Sequence, residues 1–249
     1  MPTVPTSPAT EQLPVRTAVV WAALDPLVGA GTPLRVLDVG GGSGMFAVPL
    51  ARLGHDVTVV DPSADALATL RRRAENAGVG TRVHGMQGDG DLLHEVLPAA
   101  GATLDSGFDL ALCHSVLEVV DDPAVTLREI ARALRSGGQV SVAAANRAGA
   151  VLARALGGHP VDALGLFRDS APGRPRAERR RFTPEDLLTL VEGAGLRPGP
   201  WRGLSVVADL LDAASGADPV AVRALELALA ETSPYRDVAT GLHLLAVRP

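Results

Sequence analysis

Short apolar runs trade places along the chain with longer stretches that are apolar on one side only, and the exchange is regular as far as residue 145. Residues 15–29 read as an opening helix that ends near Gly29. A strand at 34–39, a helix at 45–53, a strand at 56–61 and a helix at 64–76 follow. The last of these sets Leu67 and Leu70 on one face and Arg71, Arg72 and Arg73 in its C-terminal half, where cations suit the helix dipole. Strands at 82–86 and 108–113 come next. Asp122 and Pro123 supply an N-cap and a first helical residue, and Gly137-Gly138 predicts a stop after Ser136, ahead of a strand at 139–145. Beyond Asn146 the alternation breaks: 147–181 offers a short Ala/Leu helix and then a polar, Pro- and Arg-rich run. Thr183 and Pro184 restart a helix that runs to Gly193-Ala194-Gly195, before a strand near 200–206, helices at about 207–214 and 219–231, and a closing strand at 241–247. Strands alternating with helices predict a doubly wound α/β sheet of seven strands whose last two form a hairpin.

Composition narrows this only slightly. With 249 residues, 47% of them hydrophobic, the chain can build one sizeable α/β domain over 15–249, and with 3% aromatics the core must be Val, Leu and Ala. All 23 basic residues are arginine, a codon bias and not a chemical signal. The net charge of −5 argues against a broadly cationic nucleic-acid coat but permits a local basic patch. The single Cys113 excludes an intrachain disulfide and a Cys-rich zinc site, and the six histidines show no ligand spacing, so no metal is expected. Residues 1–14 carry neither a basic nor an apolar signal region and read as a disordered leader. No run approaches the roughly 18 apolar residues a membrane span needs, so a cytoplasmic protein without membrane contact is expected.

Chemistry concentrates after the first strand, where Gly40, Gly41, Gly42 and Gly44 strip side chains from a strand-to-helix turn and let a ligand lie against backbone N–H groups. A dinucleotide fingerprint counted from Gly40 needs glycine at 45, and Met45 stands there, which disfavours a nicotinamide-dependent reductase. No G-x-S-x-G elbow or Walker A pattern occurs. A nucleoside without pyrophosphate remains, and S-adenosylmethionine (SAM) fits. In such a sheet, ligands sit beyond the carboxyl ends of the central strands. Asp61, before Pro62, is placed there to accept ribose hydroxyls, with a helix N-cap as the alternative. Asp89, after Gln87-Gly88, is placed to accept an adenine amino group, or is a plain turn residue. Asp38 is expected to orient the glycine turn by accepting backbone N–H bonds. His114 ends the fourth strand as a lining residue or general base; Glu118 can act similarly or be a solvated charge. Arg168, Arg174, Arg176, Arg179, Arg180 and Arg181, opposed only by Asp169 and Glu178, suit an anionic substrate or RNA, or form a solvated surface.

The segments R-V-L-D-V-G-G-G-S-G, T-V-V-D-P-S and C-H-S-V-L-E-V-V-D-D-P together resemble class I SAM-dependent methyltransferases, and are most similar to the bacterial tRNA 5-carboxymethoxyuridine methyltransferases, over Arg16 to Pro249. The resemblance implies a Rossmann-like seven-stranded fold with an arginine-rich insertion after strand five (147–182) near the acceptor site. It implies SAM as cofactor, with contacts at Arg16, Gly40, Gly41, Asp61, Gln87, Gly88 and His114. Gly42, Gly44, Pro62 and Asp89 join that set from the residue reading. His243, Asn146 and Pro234-Tyr235 match the family, whereas Thr240-Gly241 replaces an Arg-Tyr pair that would hold a substrate carboxylate, and Ala144-Ala145 replaces an aromatic pair. Arg236 or the arginine-rich insertion could supply the missing cation. A carboxylate acceptor on a modified tRNA wobble uridine is already ionised and needs no base. A hydroxyl or amine of a small metabolite would use one, with His114 or His243 as candidates. A non-catalytic SAM-binding protein is the remaining alternative. The pattern leaves the oligomeric state open.

Overall fold

The computed structural model describes residues 14–99, 107–168, 179–211 and 216–249. Among them lie strands β1 (Arg35–Val39), β2 (Asp56–Asp61), β3 (Val83–Gln87), β4 (Phe108–His114), β5 (Leu134–Ala145), β6 (Arg197–Leu204) and β7 (Gly241–Val247). The α-helices are α1 (Ala18–Val28), α2 (Ala47–Arg52), α3 (Ala64–Asn76), α4 (Leu93–Ala99), α5 (Pro123–Ala133), α6 (Arg147–Leu156), α7 (Pro160–Arg168), α8 (Pro184–Gly193) and α9 (Pro219–Leu229). The strands form one sheet in the order β3-β2-β1-β4-β5-β7-β6. β1 to β5 run parallel, and β7 lies antiparallel to both β5 and β6, which is the expected late hairpin.

Period-two alternation divides each central strand between two apolar layers. Val36, Val57, Val59, Leu110 and Leu112 pack with Trp21 and Leu24 of α1, Leu50 of α2 and Leu70 of α3. Leu37, Val39, Cys113, Val140, Val142 and Leu244 face the other way, onto Leu97, Leu127, Ile130 and Leu187 from α4, α5 and α8. The chain runs outward from β1 to β3 and then resumes at β4 on the other side of β1. The carboxyl ends of β1 and β4 therefore border the crevice where the winding reverses.

Caps match their sequence signals. Asp122 accepts from the N–H groups of Ala124 (2.8 Å) and Val125 (3.3 Å). Thr183 and Asp186 form a reciprocal capping box, with Pro184 at the first helical position. Two of the departures from expectation have an identifiable partner. α5 ends at Ala133, not Ser136, because Arg248, from the far end of the chain, donates its guanidinium to the carbonyls of Arg132 and Leu134. Gly137 and Gly138 instead lie within a bulge of β5, tied to Arg248 by backbone bonds of 2.8 and 2.9 Å. The helix expected from 207 is a turn over its described part. The carboxylate of Glu226, fully buried on α9, accepts from the N–H groups of Val206 (2.9 Å), Val207 (2.8 Å) and Ala208 (2.7 Å), so that stretch is pinned by a side chain. Residues 212–214, the first 13 residues of the expected leader, and Asp169, Arg174, Arg176 and Glu178 lie outside the described residues.

Glu226→Ala strands three N–H donors at once and is expected to lower unfolding free energy by on the order of 3 kcal/mol in urea denaturation. Glu226→Gln, which keeps one acceptor oxygen, should lose less. An alanine variant within about 0.5 kcal/mol of the parent would contradict the role given to this carboxylate.

Candidate active site

The turn after β1 is built for the absence of side chains. Gly40, Gly42 and Gly44 have φ of 67°, 54° and 82°, the left-handed region where a Cβ is strained. A Cβ on Gly40 would meet Val116, one on Gly41 would run into the Asp38 carboxylate, and one on Gly44 into Leu70. The backbone is thus pressed onto the strand ends below it, with Gly40 N–H donating to the Val60 carbonyl at 2.7 Å.

Asp61, at the end of β2, points into this turn. Its Oδ2 accepts from Gly42 N–H at 2.9 Å and its Oδ1 from Ser63 N–H at 2.8 Å. The helix N-cap suggested as an alternative for Asp61 falls instead on Ser63, whose hydroxyl accepts from Ala66 N–H at 3.2 Å. An ionised carboxylate offers about four acceptor positions, so the two bonds leave Asp61 capacity for a diol. At the neighbouring strand end, Gly88 N–H donates to the Asp61 carbonyl (3.3 Å) and Gln87 Nε2 to that of Pro62 (3.2 Å). Asp89 follows with its carboxylate exposed.

Asp38 departs from expectation. It is 3% exposed, and its Oδ2 has no hydrogen-bond partner, so that oxygen does not tether the turn. Burial, reinforced by the charge on Asp61, pushes its carboxyl up to about 7. Two carboxylates beside a bare backbone turn suit a cationic nucleoside ligand and repel a phosphate.

His114 ends β4, directly after Cys113, the partner of Val39 in the register. Phe46 lies edge-on to its ring at 4.6 Å between centroids, and Trp21 stacks on Phe46 at 5.2 Å. The His114 Nε2 is 2.8 Å from the Ser141 Oγ, which is 2.8 Å from Nε2 of His243. Burial holds His114 at about 4 and pushes His243 well below the usual histidine range, so both are neutral at physiological pH. Sequence reasoning named both histidines and missed Ser141. Its only signal is a hydroxyl inside the apolar run 140–145; its partners lie 27 and 102 positions away.

Glu118 is not a solvated charge. It is buried, its Oε1 accepts from Ala145 N–H at 2.7 Å, and its Oε2 has no partner. Desolvation raises its carboxyl above the usual value, opposed by its backbone bonds and by Arg179. Three of the expected cations are engaged within the fold. Arg16, 70% exposed along its side chain, pairs with Asp209 at 2.7 Å. Arg236 lies over the Trp201 ring at 4.2 Å. Arg180 donates through its guanidinium to the carbonyls of Val120 and Asp121, while its own N–H meets the Glu118 carbonyl at 3.0 Å. Asn146 is structural: it caps α6 and donates Nδ2 to the carbonyls of Asp237 (3.0 Å) and Ala239 (2.8 Å).

A parallel sheet with a late antiparallel hairpin, a side-chain-free turn and an acidic strand end suit a nucleoside ligand. The comparisons agree. The Methyltransferase domain family matches residues 37–142. The chain is 35% identical over 194 residues to the ubiquinone biosynthesis O-methyltransferase of Xanthomonas axonopodis pv. citri, covering 76% of this chain and 74% of that one. It is 28% identical over 245 residues to the tRNA 5-carboxymethoxyuridine methyltransferase of Escherichia coli K12, covering 94% and 88%. A crystal structure of an S-adenosylmethionine-dependent methyltransferase from Mesorhizobium loti superposes with a TM-score of 0.60 at 20% identity, over 94% of this chain and all of that one. The chain belongs to the class I SAM-dependent methyltransferases, and SAM is its methyl donor.

Two predictions test the cradle. Asp61→Ala is expected to weaken S-adenosylhomocysteine binding by on the order of 10²-fold in calorimetry, the scale of two charge-assisted hydrogen bonds; unchanged affinity in a folded variant would refute it. Asp38→Asn tests the raised carboxyl. Protonated Asp38 favours the fold, so its contribution is complete below about pH 4 and is lost as pH rises through about 7. The asparagine variant should therefore gain stability over the parent as pH climbs, by up to about 1.4 kcal/mol per unit across that window. Denaturation curves showing the same difference at pH 5 and pH 8 would exclude it.

Proposed function

We propose that this methyltransferase modifies an oxygen of a small, hydroxyl-bearing metabolite entering over the carboxyl ends of β4 and β5. The observation that carries this reading is His114, a neutral imidazole beside the glycine turn whose Nδ1 has no partner. Bound SAM supplies a methyl group activated by its sulfonium. The cradle of Gly40, Gly41, Gly42 and Gly44 would hold the adenosyl part, with Asp61 at the ribose and Pro62, Gln87, Gly88 and Asp89 around the base. Asp38, buried beneath the turn, adds a second acidic group close to where the positive charge would lie. Alignment and exclusion of water dominate such a displacement. His114 would accept the acceptor's O–H hydrogen bond and direct its lone pair. The similarity to an O-methyltransferase of ubiquinone biosynthesis supports an oxygen acceptor.

A second reading, methylation of a carboxylate on a modified tRNA wobble uridine, is favoured by the whole-length similarity to the Escherichia coli enzyme. Thr240-Gly241 in place of its Arg-Tyr pair, with Arg16 and Arg236 engaged elsewhere, weighs against it. Within the described part of the insertion, Arg179, which lies near Glu118, and Arg181 are among the cations that would have to serve it.

Incubation with methyl-labelled SAM and a fractionated extract decides between them. Label is expected in small molecules and stable to mild alkali, as a methyl ether is. Alkali-labile label in RNA would replace the first reading with the second.

A further inference from the structure

One hydroxyl sits between a buried and a half-buried imidazole on the sheet face covered by α1 and α2. Ser141 on β5 is fully buried, and its Oγ reaches Nε2 of His114 on β4 and Nε2 of His243 on β7 at 2.8 Å each. The ring centroids are 6.3 Å apart. Among the described residues the buried Ser141 hydroxyl has no partner besides these two rings, so its single proton goes to one imidazole and its oxygen accepts from the other. Both rings are neutral for the reasons given above, and a neutral imidazole carries one N–H. The ring that donates to Ser141 is protonated on Nε2 and keeps a lone pair on Nδ1. The ring that accepts from Ser141 carries its proton on Nδ1. Opposite tautomers follow from this geometry together with the neutrality of both rings. Both Nδ1 atoms are buried and lack a hydrogen-bond partner, a costly arrangement of the kind found where a ligand completes the bonding.

We propose that Ser141 is a positioning residue which holds His114 as the Nε2–H tautomer, and His243 as the Nδ1–H tautomer, so that the Nδ1 lone pair of His114 receives the hydroxyl of the methyl acceptor. This rests on the hydroxyl reading above. The bond changes balance: the acceptor O–H breaks with its proton passing to Nδ1 of His114, the oxygen pair forms the new O–C bond, and the C–S pair returns to sulfur. As His114 gains that proton, its Nε2 proton can move to Ser141 while the Ser141 proton passes to His243. One positive charge is then divided between two rings, and the proton leaves to solvent with the product.

The test is nitrogen-15 NMR of histidine-labelled full-length enzyme with S-adenosylhomocysteine bound, the two rings assigned by His114→Gln and His243→Gln. The parent should show one ring of each tautomer, with His114 protonated on Nε2. Ser141→Ala should abolish that pattern and lower methyl transfer into the labelled extract fraction by about tenfold or more, with S-adenosylhomocysteine affinity within about twofold. Ser141→Thr should restore both. Two rings in the same tautomer, His114 protonated on Nδ1, or an alanine variant with unaltered tautomers and rate would each overturn the assignment. If the parent transfers label to no fraction, or only to an alkali-labile product, the hydroxyl reading fails, while the tautomer measurement still decides the role of Ser141.

Discussion

The bond from Gly42 N–H to the Asp61 carboxylate joins two parts of the chain that the crevice would otherwise separate. On one side is a turn whose glycines tolerate conformations that other residues resist; on the other is the end of β2. With its second oxygen Asp61 also fixes Ser63, which starts α3, so one side chain sets the turn, the strand end and the helix entry together. Leu70 of that helix then occupies the space a Cβ on Gly44 would need. Remove the carboxylate and each of these parts keeps its local preference but loses its reference to the others.

Electrostatics at the crevice follow from the same arrangement. Asp38 is forced beneath the turn by its place in β1, and Asp61 by its place in β2, so two acids stand close together and the more buried one resists ionisation. A ligand carrying positive charge relieves that conflict. At the ends of β4 and β5 the polar groups are of another kind: two neutral imidazoles, a hydroxyl and a half-satisfied buried glutamate. Guanidinium groups stand around this end of the sheet, yet Arg16, Arg180 and Arg236 have partners within the fold. Among the described residues the cofactor side is therefore acidic, while the groups at the ends of β4 and β5 are mainly neutral, with Arg179 near Glu118.

How far the sequence could be read depended on the range of the forces involved. Strand and helix identities were legible because periodicity and caps act within a few residues: β2, α3 and β7 fall where their patterns place them, and Asp122 and Thr183 cap as their neighbours require. The glycine turn with Asp61 was legible because its spacing is short and constrained by chemistry. The misplaced elements were set by distant partners. α5 stops early on account of Arg248, and the stretch after β6 stays a turn on account of Glu226. Ser141 belongs to the same group, since only the register of β4, β5 and β7 places it between two histidines. For Glu118 the sequence left two readings open, and the solvated one falls only once the end of β5 is known to lie over it.

The path of the chain after β5 has an evolutionary implication. It departs at Asn146, and Phe182 comes back beside the same residue as an extra parallel rung, with backbone bonds from Phe182 to Ala145 (2.9 Å) and from Arg147 to Phe182 (3.0 Å). Both feet of the excursion stand on one strand end, held by main-chain atoms that any residue can provide. Lineages could thus exchange what lies between the feet without shifting a single register in the sheet.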